Sequence, residues 1–271
     1  MKMTSDTVHL SLDDLEGLGA INGVDVTLTD TGAGRPVLLL HGGGGPATVL
    51  PWADRLAASR PARVITPIHP GFDGTTRPDA LTGVPHLASL YIALLEHLDL
   101  TGVTVVGNSI GGWITAEMAT LAASSRVSGF VIVDGVGLEV PGHPVAVGLS
   151  PAELAQHAYY DPARFGIDPT ALPPGRRAQM AANAQVLALY AGATMTDPTL
   201  ADRLAAVSTP TAVIWGEADR IAGPEYGKAL AHAIPGAQFE VLPKTGHLPQ
   251  IETPDLLIDR VWTFITQRSR S

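Results

Sequence analysis

The stretch "VVGNSIGGW", residues 105–113, constrains the fold more than any other part of the sequence. A β-branched run typical of a buried strand leads into it, and a segment of helical composition follows. A residue that ends a strand and begins a helix within one tight turn takes a strained backbone angle, so its neighbours must be small. Gly107 and Gly111, two positions before and after Ser109, meet that requirement. The pattern predicts a strand, a sharp turn at Ser109 and a helix.

Short apolar runs on both sides of this turn predict a largely parallel sheet. Near the start of the chain, Asn22 and Gly23 lie between two extended runs and predict an antiparallel hairpin, because both residue types tolerate positive φ. Six later runs have the length and composition of strands buried on both faces: 36–41, 62–68, 103–108, 129–135, 211–217 and 238–243. Helices are predicted between them at 84–98, 111–124, 224–234 and 254–267. An α/β fold follows.

One interval of the chain departs from this alternation. Between Gly137 and Val207 there is no clear strand, and helix-like segments occur near 150–160, 174–191 and 197–206. Proline and glycine at "VPGHP" and "LPPG" separate them. We therefore predict an α/β core made of residues 1–138 and 207–271, with a helical cap or lid at 139–206.

Composition limits the partners of the chain. Its 271 residues include 17 basic and 26 acidic side chains, for a net charge of −9, and no basic run offers a phosphate-binding stripe, so nucleic acid is not expected. There is no cysteine, which excludes disulfides and thiolate catalysis. The N-terminus is polar and acidic, and no stretch reaches about 18 apolar residues. We expect a cytoplasmic protein, monomeric or homodimeric, that binds a small molecule and no membrane.

Ser109 sits in "GNSIG", a G-x-S-x-G nucleophile elbow in its strand-turn-helix context. The alternative role for this serine is to cap the following helix. A serine hydroxyl becomes a good nucleophile only when a base takes its proton, and the base needs a third group to orient it. We therefore expect a histidine and an acid at the same edge of the sheet.

His247, in "KTGHLPQIETP", follows the last predicted strand and so lies at the edge where Ser109 emerges. Asp219, in "VIWGEADRI", follows the preceding strand and is the predicted orienting acid. Its alternative role is to cap a helix or pair with Arg220. Asp134, at the end of "FVIVDG", is the second candidate acid, because it could also reach the histidine. The order Ser109, Asp219, His247 is the order expected for this architecture.

The glycine run in "LLLHGGGGPA" predicts an oxyanion hole, because backbone N–H groups there can approach a substrate oxygen without hindrance. Gly43, with Gly44 as a further possibility, supplies one donor, and the N–H of Ile110 supplies the other. A phosphate cradle is the competing interpretation, but no G-K-[ST] follows. No metal or organic cofactor is expected.

Three polar residues near this loop are given supporting roles. His41 is expected to organise the glycine run rather than to react. His69, in "HPGFDGT", is expected to belong to a loop that shapes the entrance of the site. Asp73, in the same loop, is expected to be a turn residue.

These motifs, in this order, resemble the serine-nucleophile branch of the α/β-hydrolase fold superfamily over essentially the full chain. The resemblance implies a mostly parallel eight-stranded sheet with a cap where the family carries its lid, Ser109 as nucleophile, His247 as base and Asp219 as orienting acid. "VVGNSIGGW" and "HGGGGP" are most similar to the meta-cleavage-product hydrolases, which cut a carbon–carbon bond in ring-fission products.

The chain departs from that subgroup at several positions. Those enzymes typically have tryptophan after the catalytic histidine, where this chain has Leu248, and asparagine in the loop after the glycine run, where "ATVLPWAD" has none. Arg176 or Arg177 could meet a substrate carboxylate, as a cap arginine does in that group, or could lie on a solvated helix face.

We therefore predict a hydrolase of small or medium carboxylic esters or lactones, acting through an acyl-serine intermediate. A carbon–carbon hydrolase of meta-cleavage-product type is the second hypothesis. A cofactor-free oxygenase or perhydrolase, or a non-catalytic small-ligand receptor on the same scaffold, are further alternatives. Serine at the elbow argues against epoxide hydrolases and haloalkane dehalogenases, whose nucleophile is an aspartate.

Overall fold

The computed structural model describes residues 4–12, 21–121 and 126–267. Eight strands form the main sheet and two short ones pair separately. The strands are β1 Thr4–Leu12, β2 Ile21–Gly32, β3 Arg35–Leu40, β4 Ala62–Pro67, β5 Val103–Asn108, β6 Val127–Val133, β7 Gly137–Leu138, β8 Thr196–Asp197, β9 Thr211–Gly216 and β10 Gln238–Leu242.

Helices connect the strands and cover both faces of the sheet. The helices are α1 Leu50–Ser59, α2 Val84–His97, α3 Ile110–Thr120, α4 Pro151–Ala158, α5 Pro162–Phe165, α6 Pro174–Ala191, α7 Leu200–Leu204, α8 Pro224–Ala233, α9 Pro249–Glu252 and α10 Pro254–Gln267. In the described ranges, no helix is long and apolar enough to cross a bilayer.

The main sheet has the order β1-β2-β4-β3-β5-β6-β9-β10. β1, β2 and β4 pair antiparallel, and every other pair of neighbours is parallel. The predicted α/β fold with a mostly parallel eight-stranded sheet is thus confirmed. Because β3, β5, β6, β9 and β10 run in the same direction, the loops that follow them meet at one edge of the sheet.

Five of the six predicted apolar runs form strands buried on both faces of the sheet, as their lack of alternation predicts. The sixth, 238–243, forms the edge strand β10, which is mostly half-buried or exposed, with Val241 39% exposed, so its predicted burial on both faces was wrong. In β3, Val37 and Leu39 face the side covered by α1 and α10, whereas Leu38 and Leu40 face the side covered by α2 and α3. All four are at most 3% exposed. Two cores of this kind, one on each face, hold the loop-bearing edge rigid.

The N-terminal strands are antiparallel as predicted, but the prediction of a turn at Asn22 and Gly23 was wrong. Both residues lie inside β2, and the connection between β1 and β2 falls on residues 13–20, outside the described residues. Gly23 has φ 70° and sits where the register between the two strands shifts, so the Asn-Gly pair accommodates an irregularity in a strand. The glycine correctly indicated a positive φ, but this backbone angle lies inside a strand and not in a hairpin turn.

The interval after Gly137 contains the helices α4 to α7 and also two short strands, β7 and β8, which the sequence did not indicate. β7 and β8 pair in parallel at its two ends. Two residues per strand are too short for a pattern to reveal them. No sequence pattern indicated α1 either, and the end of the helix predicted at 111–124 lies outside the described residues.

We expect Leu38→Ala to lower the free energy of unfolding by about 2–5 kcal/mol, because it leaves a cavity in the centre of the sheet. Leu154→Ala is the matched control: Leu154 on α4 is 48% exposed, so the same truncation should change stability by less than about 0.5 kcal/mol. Urea denaturation measures both values. Equal losses in the two variants would contradict this description of the core.

Candidate active site

Ser109 stands between β5 and α3 at the loop-bearing edge. Its backbone lies in the left-handed region, with φ 58° and ψ −120°. A Cβ at Gly107 would lie 2.0 Å from the carbonyl oxygen of Gly111, and a Cβ at Gly111 would lie 2.3 Å from that of Leu40. Only glycine fits at either position. The strained turn with small neighbours is present as the sequence predicts.

His247 and Asp219 meet at the same edge. The loop after β9 carries Asp219, and the loop between β10 and α9 carries His247. His247 Nδ1 lies 2.8 Å from Asp219 Oδ2, and both residues are buried. Asp219 Oδ1 accepts the backbone N–H groups of Ile221 and Ala222, which fixes the carboxylate. Because the carboxylate is acceptor-only, Nδ1 carries the proton and Nε2 is left as the basic atom.

Asp134 lies in the same cluster but does not bond to the histidine. It follows β6, has φ 45° and is fully buried. Its Oδ1 accepts the backbone N–H of Gly216 at 2.7 Å. Of the two candidate acids, the structure therefore brings Asp219, and not Asp134, into contact with His247.

A pair of amides that the sequence analysis did not single out joins the elbow to the histidine loop. Asn108, directly before the serine, donates from Nδ2 to the carbonyl oxygen of His247 at 3.0 Å. Gln250 Nε2 in turn donates to Asn108 Oδ1 at 3.0 Å. Both amides are buried, so their hydrogen bonds form away from competing water and tie the backbone of the His247 loop to Asn108, the residue before Ser109. Polar residues inside "GNSIG" and "GHLPQ" were the available signal.

The glycine run after β3 approaches the elbow closely. A Cβ at Gly42 would lie 3.2 Å from the Cβ of Ser109, so this glycine packs against the serine itself. Gly43 is covered by Leu187 of α6, and Gly44 packs on Thr48. The N–H of Ile110 belongs to the first residue of α3, which has no acceptor within the helix. Gly42 thus contacts Ser109, and Ile110 follows it directly in the chain. The role of Gly43, Gly44 and Ile110 as an oxyanion hole stays a prediction.

Two buried histidines support the glycine run from below. The backbone N–H of His69 donates to His41 Nε2, so His41 is protonated at Nδ1, which donates to the carbonyl oxygen of Gly42 at 2.8 Å. His69 Nε2 donates to the carbonyl oxygen of His41 at 2.9 Å, and its Nδ1 accepts from the hydroxyl of Tyr91. The predicted organising role of His41 matches these contacts. The His69 side chain is fully buried and holds His41, whereas the role of its loop in shaping the entrance stays a prediction.

Burial keeps both of these rings neutral. Desolvation lowers the pKa of His41 to about 4, and the hydrogen bond to Gly42 only partly opposes it. Desolvation, and then the nearby His41, lower the pKa of His69 well below its ordinary value. The pair is therefore a structural support that stays uncharged under the glycine run.

Helix α6 is fixed to the loop that carries His69. Asn183 Nδ2 donates to Asp73 Oδ1 at 2.9 Å, and the backbone N–H of Asp73 donates to Asn183 Oδ1 at 2.9 Å. Tyr190, two turns along α6, donates to the carbonyl oxygen of Pro70. Asp73 is a turn residue with φ 50°, as expected, but it also holds α6 in place. A buried Asn183 among apolar positions of one helix face was the signal that the sequence analysis missed.

The two arginines of α6 lie away from the serine. Arg177 donates from Nη1 to the carbonyl oxygen of Leu172 at 2.7 Å, at the beginning of the helix. Arg176 precedes Leu187 by eleven positions, which places it about 16 Å along the helix axis from the residue that covers Gly43. Neither arginine is brought to the glycine run.

One cluster in the described part of the chain has the residue types of a metal site: Asp134, Asp219 and His247, whose ligand atoms lie within 4.8 Å of one another. Two of the three are already bonded to each other, and all three are buried. A metal there would have to displace the hydrogen bond that orients the histidine. The geometry suits proton transfer better than metal binding.

The chain matches a known sequence family over most of its length. A sequence model described as the alpha/beta hydrolase family matches residues 37–260. A 2-hydroxymuconate semialdehyde hydrolase of Pseudomonas putida is 30% identical over 276 aligned positions, covering 90% of this chain and 92% of that protein.

Solved structures share the fold. A thermophilic esterase from Thermogutta terrifontis superposes with a TM-score of 0.70 at 25% identity, covering 97% of this chain and 98% of that one. The meta-cleavage product hydrolase CumD from Pseudomonas fluorescens IP01, in a mutant form complexed with acetates, gives a TM-score of 0.72 at 22% identity, covering 90% of this chain and 95% of that one. At that identity the second likeness concerns the fold alone.

We expect the buried neutral pair His41 and His69 to make stability depend on pH. The unfolded chain protonates these rings below about pH 6.5, whereas the folded chain keeps His41 neutral down to about 4. The part of the free energy of unfolding that depends on these neutral rings is fully present above pH 6.5 and is lost as the pH falls. For His41 the loss is on the order of 3 kcal/mol. Urea denaturation of the wild type and of His41→Asn between pH 7 and pH 4.5 measures the slope.

The expected result is a flatter pH slope in His41→Asn. His143→Asn, at an exposed position, is the control and should keep the wild-type slope. Asp134 changes the slope of stability against pH in the opposite direction, because its pKa is raised in the folded state. This effect is present in the wild type and in both variants, so it does not alter the comparison. Parallel slopes for the wild type and His41→Asn would contradict a neutral buried histidine.

Proposed function

We propose that this protein, which belongs to the alpha/beta hydrolase family, cleaves its substrate through a covalent acyl-serine intermediate on Ser109. The observation that supports the proposal most strongly is the buried hydrogen bond between His247 and Asp219. It lies at the same edge of the sheet as Ser109, whose backbone has a positive φ. A base held in one tautomer beside a strained serine is the arrangement that activates a hydroxyl.

Each group then has one role. His247 Nε2 takes the proton of Ser109 while Oγ forms a bond to the carbonyl carbon of the substrate. The N–H groups of Gly43 and Ile110, with Gly44 as a further donor, hold the oxyanion. His247 passes its proton to the leaving group and afterwards activates a water molecule, which hydrolyses the acyl-serine. Asp219 stays ionised and stabilises the imidazolium.

For the scissile bond we propose a carbon–carbon bond beside the carbonyl group of a ring-fission product. The support is the resemblance over 90% of the chain to a protein named as a 2-hydroxymuconate semialdehyde hydrolase. Attack by Ser109 on the carbonyl carbon breaks its bond to the unsaturated chain, which keeps the electron pair and takes a proton. Water then releases the acyl part as a carboxylic acid, so the balance is one water consumed and no cofactor used.

Ester or lactone hydrolysis is the second candidate, and Leu187 favours it. The side chain that covers Gly43 is apolar, and the arginines of α6 lie about three turns nearer the start of the helix. An acyl group beside Leu187 would therefore meet an apolar side chain and no cation of α6. An uncharged ester needs none.

We also propose that the predicted segment 139–206 acts as the lid of the site. The support is the position of α6, whose Leu187 packs on Gly43 while Asn183 bonds to Asp73 of the core. These contacts cover the glycine run with an apolar surface. Such a cover excludes water from the oxyanion and strengthens the interactions that stabilise it.

We expect Ser109→Ala to lower turnover on the order of a million-fold, because the nucleophile and its base act as a unit. The wild type and variant are assayed with 2-hydroxymuconate semialdehyde and with p-nitrophenyl esters from acetate to octanoate. Ser128→Ala, at an exposed position of β6, is the control for serine loss. If the wild type turns over 2-hydroxymuconate semialdehyde and Ser109→Ala does not, the result supports the carbon–carbon proposal.

The other results of this assay are equally decisive. If the wild type hydrolyses the esters with a maximum at one chain length and does not turn over 2-hydroxymuconate semialdehyde, the result supports ester hydrolysis instead. Most of the activity surviving in a folded Ser109→Ala protein would overturn the acyl-serine mechanism for both.

We expect Leu187→Ala to enlarge the space above Gly43 and to shift the preferred acyl chain to longer esters, with a change in kcat/KM ratio of about tenfold between short and long substrates. Leu189→Ala is the matched control, because Leu189 lies on the same helix and is 41% exposed. Steady-state kinetics on the ester series measure the shift. An unchanged chain-length profile would show that α6 does not line the acyl site.

A further inference from the structure

Among the residues that the structure describes, Asp134 is the buried acid at this edge that the proposed mechanism does not use. Its side chain is fully buried after β6, and its backbone is left-handed. Oδ1 accepts the N–H of Gly216, but Oδ2 is buried without a hydrogen-bond partner. A buried carboxylate oxygen without a donor is costly, whereas a buried carboxylic acid oxygen can carry a proton of its own.

The groups that face Asp134 decide which form it takes. Its carboxyl lies within 4.8 Å of a carboxylate oxygen of Asp219 and of the His247 ring. Glu252 is the next acid, and its carboxylate accepts the backbone N–H groups of Gly246 and Asp161. No lysine or arginine is among the described groups that shift Asp134. The surroundings are therefore acidic apart from the histidine that Asp219 already binds.

Two buried carboxylates this close cannot both ionise readily. Burial, and then the charge of Asp219, raise the pKa of Asp134 well above its ordinary value, while the Gly216 N–H only partly opposes this. Asp219 is the member that stays ionised, because it accepts two backbone N–H groups and the histidine proton.

We propose that Asp134 is a positioning residue that keeps a proton on Oδ2 beside Asp219, and that it becomes the partner of His247 when Asp219 is removed. This inference rests on the proposed function of His247 as the base. The pair shares one proton and one negative charge. His247 therefore faces a single carboxylate, which keeps its imidazolium form from being over-stabilised and leaves Nε2 free to act as a base.

The readout must not depend on the natural substrate. Phosphonylation by a fluorophosphonate probe forms a bond from Ser109 Oγ to phosphorus and expels fluoride, so its rate reports activation of the serine for any substrate. We expect Asp219→Ala to slow labelling on the order of 10²-fold, less than the roughly 10³–10⁴-fold of an unreplaced triad acid, because Asp134 then binds His247. Adding Asp134→Asn to that variant should slow labelling at least about tenfold more, because the reserve carboxylate is then lost as well.

Asp134→Asn alone should behave differently, since asparagine is neutral and can still donate towards Asp219. Labelling should slow by less than about fivefold, and the acid limb of its pH profile should move by less than about 0.3 unit. A purely structural role would not make the effect of Asp134→Asn depend on Asp219. If Asp134 were ionised, the single variant would shift the acid limb downwards by about one unit, and the proposal would be wrong.

Infrared spectroscopy tests the proton directly and needs no activity. The band of a buried protonated carboxylic acid should be present in the wild type at neutral pH and absent in Asp134→Asn. Asp99→Asn is the matched control, because Asp99 also has a left-handed backbone but an exposed side chain, and it should keep the band. Absence of the band in the wild type would refute the inference even if the serine reacts with the probe. A band without any serine labelling would leave Asp134 protonated and refute the proposed function instead.

Discussion

The left-handed backbone of Ser109 is the constraint on which the rest of the site depends. It is tolerated only because glycines on either side let the elbow pack directly on backbone oxygens, including that of Leu40 at the end of β3. That contact brings the glycine run after β3 against the serine. The neighbouring parallel strands then deliver the remaining loops to the same edge, so one local strain sets the positions of groups far apart in sequence.

Burial works in opposite directions on the ionisable groups around this edge. It keeps His41 and His69 neutral beneath the glycine run and Asp134 protonated beside the hydrogen-bonded pair Asp219 and His247. Asp219 instead accepts hydrogen bonds from two backbone N–H groups and from His247, which compensate a negative charge there. The site thus concentrates one negative charge at the atom that orients the base. A second ionised group would weaken the base or compete for its proton.

The sequence predicted those parts of the site that local backbone chemistry determines. The elbow, the strands and the three loops follow from glycine spacing and apolar runs, which act over a few residues. Tertiary contacts decide the remainder. Asp219 was predicted as the acid that reaches the histidine and Asp134 was the second candidate, because both follow buried strands, and the bond of 2.8 Å between Asp219 and His247 decides between them. The Asn-Gly pair failed as a turn signal for the same reason, since strand pairing placed its positive φ inside β2.

The face of α6 links the fold to the choice of substrate. Asn183, Leu187 and Tyr190 recur at helical spacing and all contact the core, so the hydrogen bonds of Asn183 fix the register that puts a leucine over Gly43. Arg176 continues the same stripe two turns earlier than Asn183, about 16 Å from that leucine. The register of α6 thus places an apolar side chain rather than a cation over the glycine run, and this choice decides which part of a substrate can lie there.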